Sequence, residues 1–330
     1  MGEALEVAKV LVKPVMKLLD MVNGAIGTMY EPRHKRKMAD ATAYEINVIG
    51  EAMRNAADLP IVYNQDGVAI NSEDFNRLVQ RAGTRLVLQE TIKQHNIESV
   101  IDSAYEILEK EEACSEESVE QGWINRFFDS VADVSDEDLQ KLWGKVLAGE
   151  IKQPKSYSLR TLETLKNLSK EEAELFQKII PFVINMQGNL FLPSNFEVLE
   201  KYDIRYGEIL HLDECGLINS SGMVKFNPSI SNAEHVSMYT QSRVVLIYGL
   251  KSNEERISIR NFGLTQAATE LFYILDGNPN DEYLYDYVEY IAMKNSKKVR
   301  ISIHQINFID DEGINYEDTA LREFPAKIDE

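Results

Sequence analysis

The sequence is poor in cysteine, glycine and proline for its length. Its 330 residues include 2 cysteines, 17 glycines and 9 prolines. Two cysteines about a hundred residues apart, Cys114 and Cys215, exclude a disulfide framework and a thiolate zinc cluster. The glycine and proline content excludes a collagen-like or low-complexity chain. With 44% hydrophobic residues, a chain of this length is expected to form two or three globular domains.

Long apolar runs are also missing. No stretch of 18 consecutive apolar residues, as a membrane-spanning helix requires, occurs in the chain. The opening residues do not combine a charged region, an apolar region and a small-residue cleavage site, as a secretory signal does. The sequence therefore predicts a cytoplasmic protein, with a peripheral position at the inner membrane face as an alternative.

The common catalytic motifs do not occur. The chain contains neither of the glycine-rich phosphate loops nor the G-x-S-x-G nucleophile motif. Its five histidines are dispersed, and only His211 lies four residues from a cysteine, Cys215. Leu210 and Leu212 beside His211 indicate a partly buried structural pair. We predict no catalytic, cofactor-binding or metal-binding residues and a protein that is not an enzyme, although a site assembled from distant residues remains open.

Positive charge is scarce and unevenly distributed. The net charge is −19, and a field of that sign repels nucleic acid unless a local basic patch overcomes it. Residues 1–39 carry seven Lys or Arg against four Asp or Glu, a net +3, so the remainder carries −22. The first 39 residues are therefore the basic part of an acidic protein.

The periodicity of Ala4–Ile26 predicts an amphipathic helix with a stripe of lysines, and a basic cluster follows it. Three uses of this segment stay open: binding an anionic membrane surface, packing against copies of the chain, and packing on its own domain. The residues predicted to contact a partner or a membrane are Lys9, Lys13, Lys17, Arg33, Lys35, Arg36 and Lys37.

The rest of the chain predicts a mostly α protein with a C-terminal α+β part. The boundaries expected are residues 1–39, a helical region 40–113, a helical core block 114–193 and an α+β region 194–330. A new helix is expected to begin after Asn96, and the tail from Asp310 is expected to be loose.

Residues 158–227 predict a winged-helix-like module. Short helices there precede a predicted hairpin of Leu217-Ile218 and Met223–Phe226. Capping boxes are expected at Ser135 and Ser169, and Thr265 is expected to cap another helix.

A family likeness is carried by QHNIESVIDSAYEIL at residues 94–108 and by WINRFFDSVADVSDEDLQKLWGKVLAGEIKQPKSYSLRTLETLKNLSKEEAELF at residues 123–176. These segments resemble the central block of a bacterial family catalogued as domain of unknown function 2806, and AIGTMYEPRHKRKMADA at 25–41 is similar to its N-terminal part. The family has no established reaction, cofactor or catalytic residue. A more distant likeness to abortive-infection proteins implies a context of phage defence.

Three functional hypotheses follow. The first is a non-enzymatic regulatory or interaction protein that assembles through its N-terminal amphipathic helix into a homo-oligomer, with a C-terminal module that senses or binds something. The second is a defence effector acting on the membrane surface. The third is a winged-helix nucleic-acid-binding regulator, which is disfavoured because the expected recognition helix near Tyr206–Cys215 is acidic.

Overall fold

The computed structural model describes residues 13–26, 72–226, 229–232, 234–250, 255–275, 277–295, 298–310 and 313–324. The chain divides into two compact units, Met1–Ser156 and Tyr157–Glu330. The described part of the first unit is helical, whereas the second combines helices with an antiparallel sheet. The predicted class, a helical body followed by an α+β region, is confirmed at this level.

The described part of the first unit contains the helices α1 (Lys13–Ile26), α2 (Ser72–Leu108), α3 (Gln121–Val131) and α4 (Glu137–Lys152). Helices α2 and α4 pack along each other, and the fully buried Trp143 of α4 meets Phe127 edge to face with ring centroids 5.3 Å apart. Aromatic rings at helical spacing thus form part of the core of the first unit.

Helix α2 runs unbroken through Asn96, so the expectation of a new helix at that point is wrong. The Asn96 side chain is buried, donates to the Ala132 carbonyl at 2.9 Å and accepts from the Gln140 amide at 3.3 Å. A polar residue that breaks the apolar pattern can therefore sit inside a helix when a neighbouring element supplies its hydrogen bonds.

Helix α1 packs on its own unit. Val15, Leu18 and Val22 are buried, and α1 contacts α2, α3 and α4. The amphipathic helix is confirmed over the described residues 13–26. Three uses were considered for this segment, and residues 13–26 show one of them, packing against their own unit.

The second unit contains the helices α5 (Leu159–Asn167), α6 (Lys170–Ile179), α7 (Phe196–Leu199), α8 (Tyr206–Glu214), α9 (Gln266–Phe272) and α10 (Asp281–Lys294). Its strands are β1 (Ile184–Met186), β2 (Asn189–Pro193), β3 (Ile218–Phe226), β4 (Ser229–Ile230), β5 (His235–Tyr239), β6 (Arg243–Gly249), β7 (Glu255–Arg256), β8 (Ile259–Leu264), β9 (Val299–Asp310), β10 (Gly313–Tyr316) and β11 (Arg322–Phe324). Nine strands form one antiparallel sheet in the order β10-β9-β6-β5-β1-β2-β8-β3, with β11 also paired to β9. Strands β4 and β7 pair separately.

Helix starts agree closely with the capping signals. Ser169 and Glu172 form the predicted capping box at the start of α6, and Thr265 caps α9 through the Ala268 N–H. The start of α4 is displaced by one residue, because Asp136 rather than Ser135 accepts from the first free backbone N–H groups.

Two expectations for the second unit are wrong. The residues expected to form a hairpin belong to one strand, β3, whose two ends pair with β8 at Ile218–Leu264 and Phe226–Ile259 around an irregularity. The tail beyond Asp310 is not loose over its described residues, because β10 and β11 both pair with β9. The backbone N–H and C=O groups of these residues bond to other strands of the sheet, and the residue types within the segments do not reveal that pairing. The winged-helix arrangement is not confirmed.

Candidate functional site

A basic cavity lies in the second unit between the loop after β2, the start of β8 and the last turns of α10. Its volume is about 540 Å³, within the range of small-molecule sites. Arg260 comes from β8, Lys294 from the last turn of α10, and Lys298 from the chain just before β9. The fold thus gathers three cationic residues that are far apart in the sequence.

The lining of the cavity is positive without local compensation. Within the described part of the chain, no Asp or Glu lines the cavity, and Arg260, Lys294 and Lys298 form no ion pair. The Lys294 Nζ lies 5.5 Å from the centroid of the Tyr290 ring, which also lines the cavity. The lining of the cavity is therefore positively charged although the net charge of the protein is −19.

The walls of the cavity are held by hydrogen bonds. The Ser194 N–H donates to the Arg260 carbonyl at 3.2 Å, and the Asn195 Oδ1 caps α7 by accepting from the Glu197 N–H at 3.1 Å. The Asn195 Nδ2 is buried and has no hydrogen-bond partner among the described residues. These hydrogen bonds fix the loop after β2 and the start of α7 beside the cations.

The position of Lys294 also has a purely structural explanation. A cation in the last turn of a helix interacts favourably with the negative end of the helix dipole. That explanation covers one residue on α10 and not Arg260 or Lys298. The convergence of all three cations on one concave surface is what makes the cavity a candidate site for an anion.

A second group of reactive side chains lies at the α6–α8 contact. Glu172, His211 and Cys215 bring one ligand atom each to within 4.8 Å of the others. The His211 Nε2 lies 3.4 Å from the Glu172 Oε1, and the Cys215 thiol hydrogen-bonds to the same carboxylate. The sequence pointed to His211 and Cys215 by their spacing, but it marked Glu172 only as a capping residue, because 39 residues separate it from His211.

The protonation of this group is set by its surroundings. Burial, together with the adjacent Glu172 carboxylate, raises the pKa of Cys215 to about 12. The hydrogen bond from the Ser169 backbone N–H is the main cause that holds the pKa of Glu172 below its ordinary value. At neutral pH Cys215 is therefore a neutral thiol and not the thiolate that a nucleophilic cysteine needs.

The lysines that were predicted to contact a partner or a membrane make internal contacts where they are described. The Lys17 ammonium donates to the carbonyls of Ser115, Glu117 and Ile151 at 3.1, 2.6 and 3.0 Å. Lys13 pairs with Glu116 at 2.9 Å, and both side chains are exposed. Contact with a partner or a membrane stays a prediction for the whole set, of which the following members lie outside the described residues: Lys9, Arg33, Lys35, Arg36 and Lys37.

None of the described helices has the length and apolarity that a transbilayer span requires.

Comparison with known proteins gives one family. The profile of a family described as a protein of unknown function, DUF2806, matches residues 80–288, which is more than half of the chain. No curated protein and no solved structure gives a significant match.

Proposed function

We propose that this chain, which belongs to the DUF2806 family, is a non-enzymatic regulatory or interaction protein whose second unit binds a small anionic molecule. The observation that supports this proposal is the basic cavity, where Arg260, Lys294 and Lys298 line one concave surface and none of the described lining residues is a carboxylate. Cations held together without counter-charges repel one another, and an anionic ligand relieves that repulsion.

The cations favour phosphate groups as the anionic part of the ligand. The planar guanidinium of Arg260 can donate two parallel hydrogen bonds to phosphate oxygens, while Lys294 and Lys298 act as point charges. Three cations require more than one negative charge for neutralisation. The volume of about 540 Å³ leaves room for an organic part beside the phosphates, and the Tyr290 ring in the wall offers it an apolar face. The ligand class is therefore a phosphorylated small molecule.

Calorimetric titration at low ionic strength tests this proposal, with ATP and inorganic pyrophosphate as probes. We expect wild-type protein to bind at least one of them, and the double variant Lys294→Glu, Lys298→Glu to bind at least about tenfold more weakly, since two attractions become repulsions.

The matched control is Arg160→Glu, Lys166→Glu, which makes the same change in net charge at two exposed positions of α5. This control should retain most of the wild-type affinity. Equal weakening in both double variants would mean that overall charge and not the cavity governs binding. Absence of heat with wild-type protein and both probes would refute the proposal.

Self-association is a second candidate function, and it is favoured by the first half of α2. Among the described residues, Leu78, Leu86, Leu88 and Ile92 are 54%, 52%, 59% and 57% exposed. At 100° per residue, Leu78 and Leu86 lie on the side of α2 that further along carries the buried Val100 and Ala104. The same apolar side thus continues past the part that α4 covers, which suits pairing with α2 of a second copy.

Light scattering coupled to size-exclusion chromatography measures this self-association. We expect wild-type protein to be a dimer or a larger homo-oligomer and Leu78→Glu, Leu86→Glu to shift the mass toward the monomer. Leu321→Glu, at a residue of the second unit that is also about half exposed, should leave the mass unchanged. A wild-type monomer at the highest concentration measured would exclude this interface.

The remaining hypotheses stay predictions. Nucleic-acid binding through α8 is not supported by its charges, because Glu208 and Glu214 lie on it and Arg205 at its start pairs with Asp203 at 3.3 Å. Phage defence, action at a membrane surface and a cytoplasmic location rest on the family likeness and on the sequence features described first. The cavity is compatible with a sensor in any of these settings.

A further inference from the structure

We propose that Glu172, His211 and Cys215 form a binding site for a divalent transition-metal ion, with Zn²⁺ as the ion that suits this ligand set best. The three side chains offer a carboxylate oxygen, an imidazole nitrogen and a sulfur, which are the three donor types that zinc accepts in proteins. This site lies at the α6–α8 contact and shares no residue with the lining of the basic cavity. It therefore stands apart from the function proposed above.

The ligand atoms are already close to the spacing that a metal ion imposes. They lie within 4.8 Å of one another, and bonds of about 2.0–2.3 Å in a tetrahedral site place ligand atoms roughly 3.3–3.8 Å apart. His211 on α8 and Cys215 at its C-terminal cap are four residues apart and face the same side, while Glu172 is the third residue of α6. Closing the site requires the ligand atoms to approach one another by roughly 1–1.5 Å at most.

A hydrogen bond orients Glu172, and a carboxylate lies behind the ring of His211. The Glu172 Oε2 accepts from the Ser169 N–H at 2.7 Å, so the capping box fixes the carboxylate and leaves Oε1 toward His211. The His211 Nδ1 lies 3.8 Å from a Glu214 carboxylate oxygen, which leaves Nε2 for the metal. A carboxylate behind a metal-binding histidine is a common arrangement, because it fixes the orientation and tautomer of the ring.

The surroundings of the site permit entry of an ion. The His211 side chain is 49% exposed, and the Glu172 side chain is 21% exposed. On binding, the metal ion replaces the thiol proton of Cys215, and the proton leaves to solvent. Three protein ligands leave at least one coordination position for water or an incoming ligand. Such a position separates this arrangement from a closed, four-ligand structural zinc site.

Cobalt titration of the metal-stripped, full-length protein tests the site directly. Co²⁺ bound by a thiolate gives a near-ultraviolet charge-transfer band and visible bands typical of four-coordination, and Zn²⁺ should displace it stoichiometrically. We expect these bands in wild-type protein and in Cys114→Ser. Cys215→Ser should lose the charge-transfer band, which makes the two cysteine variants a matched pair.

A second variant keeps the test decisive if Cys215→Ser folds poorly. His211→Gln alters a half-exposed side chain, and we expect it to retain the wild-type circular dichroism spectrum while its apparent affinity for Zn²⁺ falls at least about tenfold. Zn²⁺ should raise the thermal midpoint of wild-type protein and of Cys114→Ser more than that of His211→Gln at the same Zn²⁺ concentration. Absence of the cobalt bands in wild-type protein, or their persistence in Cys215→Ser, would overturn the proposal.

Discussion

Replacement of Lys17 by methionine is expected to lower the free energy of unfolding by about 2–4 kcal/mol. The Lys17 ammonium donates to three backbone carbonyls, those of Ser115, Glu117 and Ile151, and hydrogen bonds to charged groups contribute about 1.5–3 kcal/mol each before losses from solvent exposure. The Ile151 carbonyl lies in the last turn of α4, where a cation also interacts favourably with the helix dipole. Methionine retains the apolar stem, so the loss reports the ammonium group.

The neighbouring Lys13 provides the control. Its ion pair with Glu116 is exposed on both sides, and such pairs contribute little to stability because water screens the charges. Lys13→Met should therefore change the free energy of unfolding little. Urea denaturation followed by tryptophan fluorescence is a suitable measurement, because Trp123 and Trp143 both lie in the first unit. Equal effects of the two substitutions would contradict the special role of Lys17.

This pair of variants also bears on the predicted contact with a membrane or a partner. A lysine that stabilises its own unit through carbonyl contacts is not free to bind anionic lipid without breaking them. If Lys17→Met lowers the free energy of unfolding and Lys13→Met does not, at least one lysine of the predicted stripe stabilises the fold of its own unit. Vesicle binding of such variants is interpretable only at a urea concentration and temperature where each variant is folded.

Gly144→Ala is expected to destabilise the first unit by about 1–3 kcal/mol, although alanine is the better helix former. A Cβ at position 144 on α4 would lie 2.5 Å from the Ser103 Cβ and 3.1 Å from the Ala104 backbone nitrogen of α2. Both atoms belong to a neighbouring helix and cannot move independently of it. The substitution would force α2 and α4 apart at their main contact.

The control is Gly122→Ala, in the first turn of α3. Its Cβ would meet Glu120 Oε1 at 3.5 Å, an ordinary contact, so this variant should be as stable as wild-type protein or slightly more stable. Thermal unfolding followed by circular dichroism and by tryptophan fluorescence compares the two. A Gly144→Ala protein as stable as wild type would mean that the helices are further apart than described.

Local signals predicted the helical part of the fold and two of the helix starts. Ser169 with Glu172 and Thr265 mark real helix starts, since a side-chain oxygen can satisfy the backbone N–H groups of the next turn without any tertiary contact. The predictions that failed concern residues whose structure depends on a partner distant in the sequence. Asn96 stays inside a helix because Gln140 and the Ala132 carbonyl meet it, and β3 is one strand because β8 lies beside it.

The candidate sites divide in the same way. The four-residue spacing of His211 and Cys215 was visible in the sequence, because one helix suffices to bring both to one face. The sequence did not show that Glu172 belongs to this group, since only the packing of α6 on α8 brings its carboxylate within 4.8 Å of the other ligand atoms. The basic cavity has no local pattern in the sequence, because Arg260 lies on β8, Lys294 on α10 and Lys298 just before β9.

Periodicity, caps and charge counts determine that the first part of this protein is helical, where α6 and α9 begin, and that a basic N-terminal segment precedes an acidic remainder. Those properties depend on interactions within a few turns of the chain or on simple sums. Tertiary structure decided where the apolar face of α1 is buried, which strands pair, and where positive charge and metal-ligand atoms converge. These outcomes depend on side chains and strands that are tens of residues apart in sequence and meet only after the units have packed.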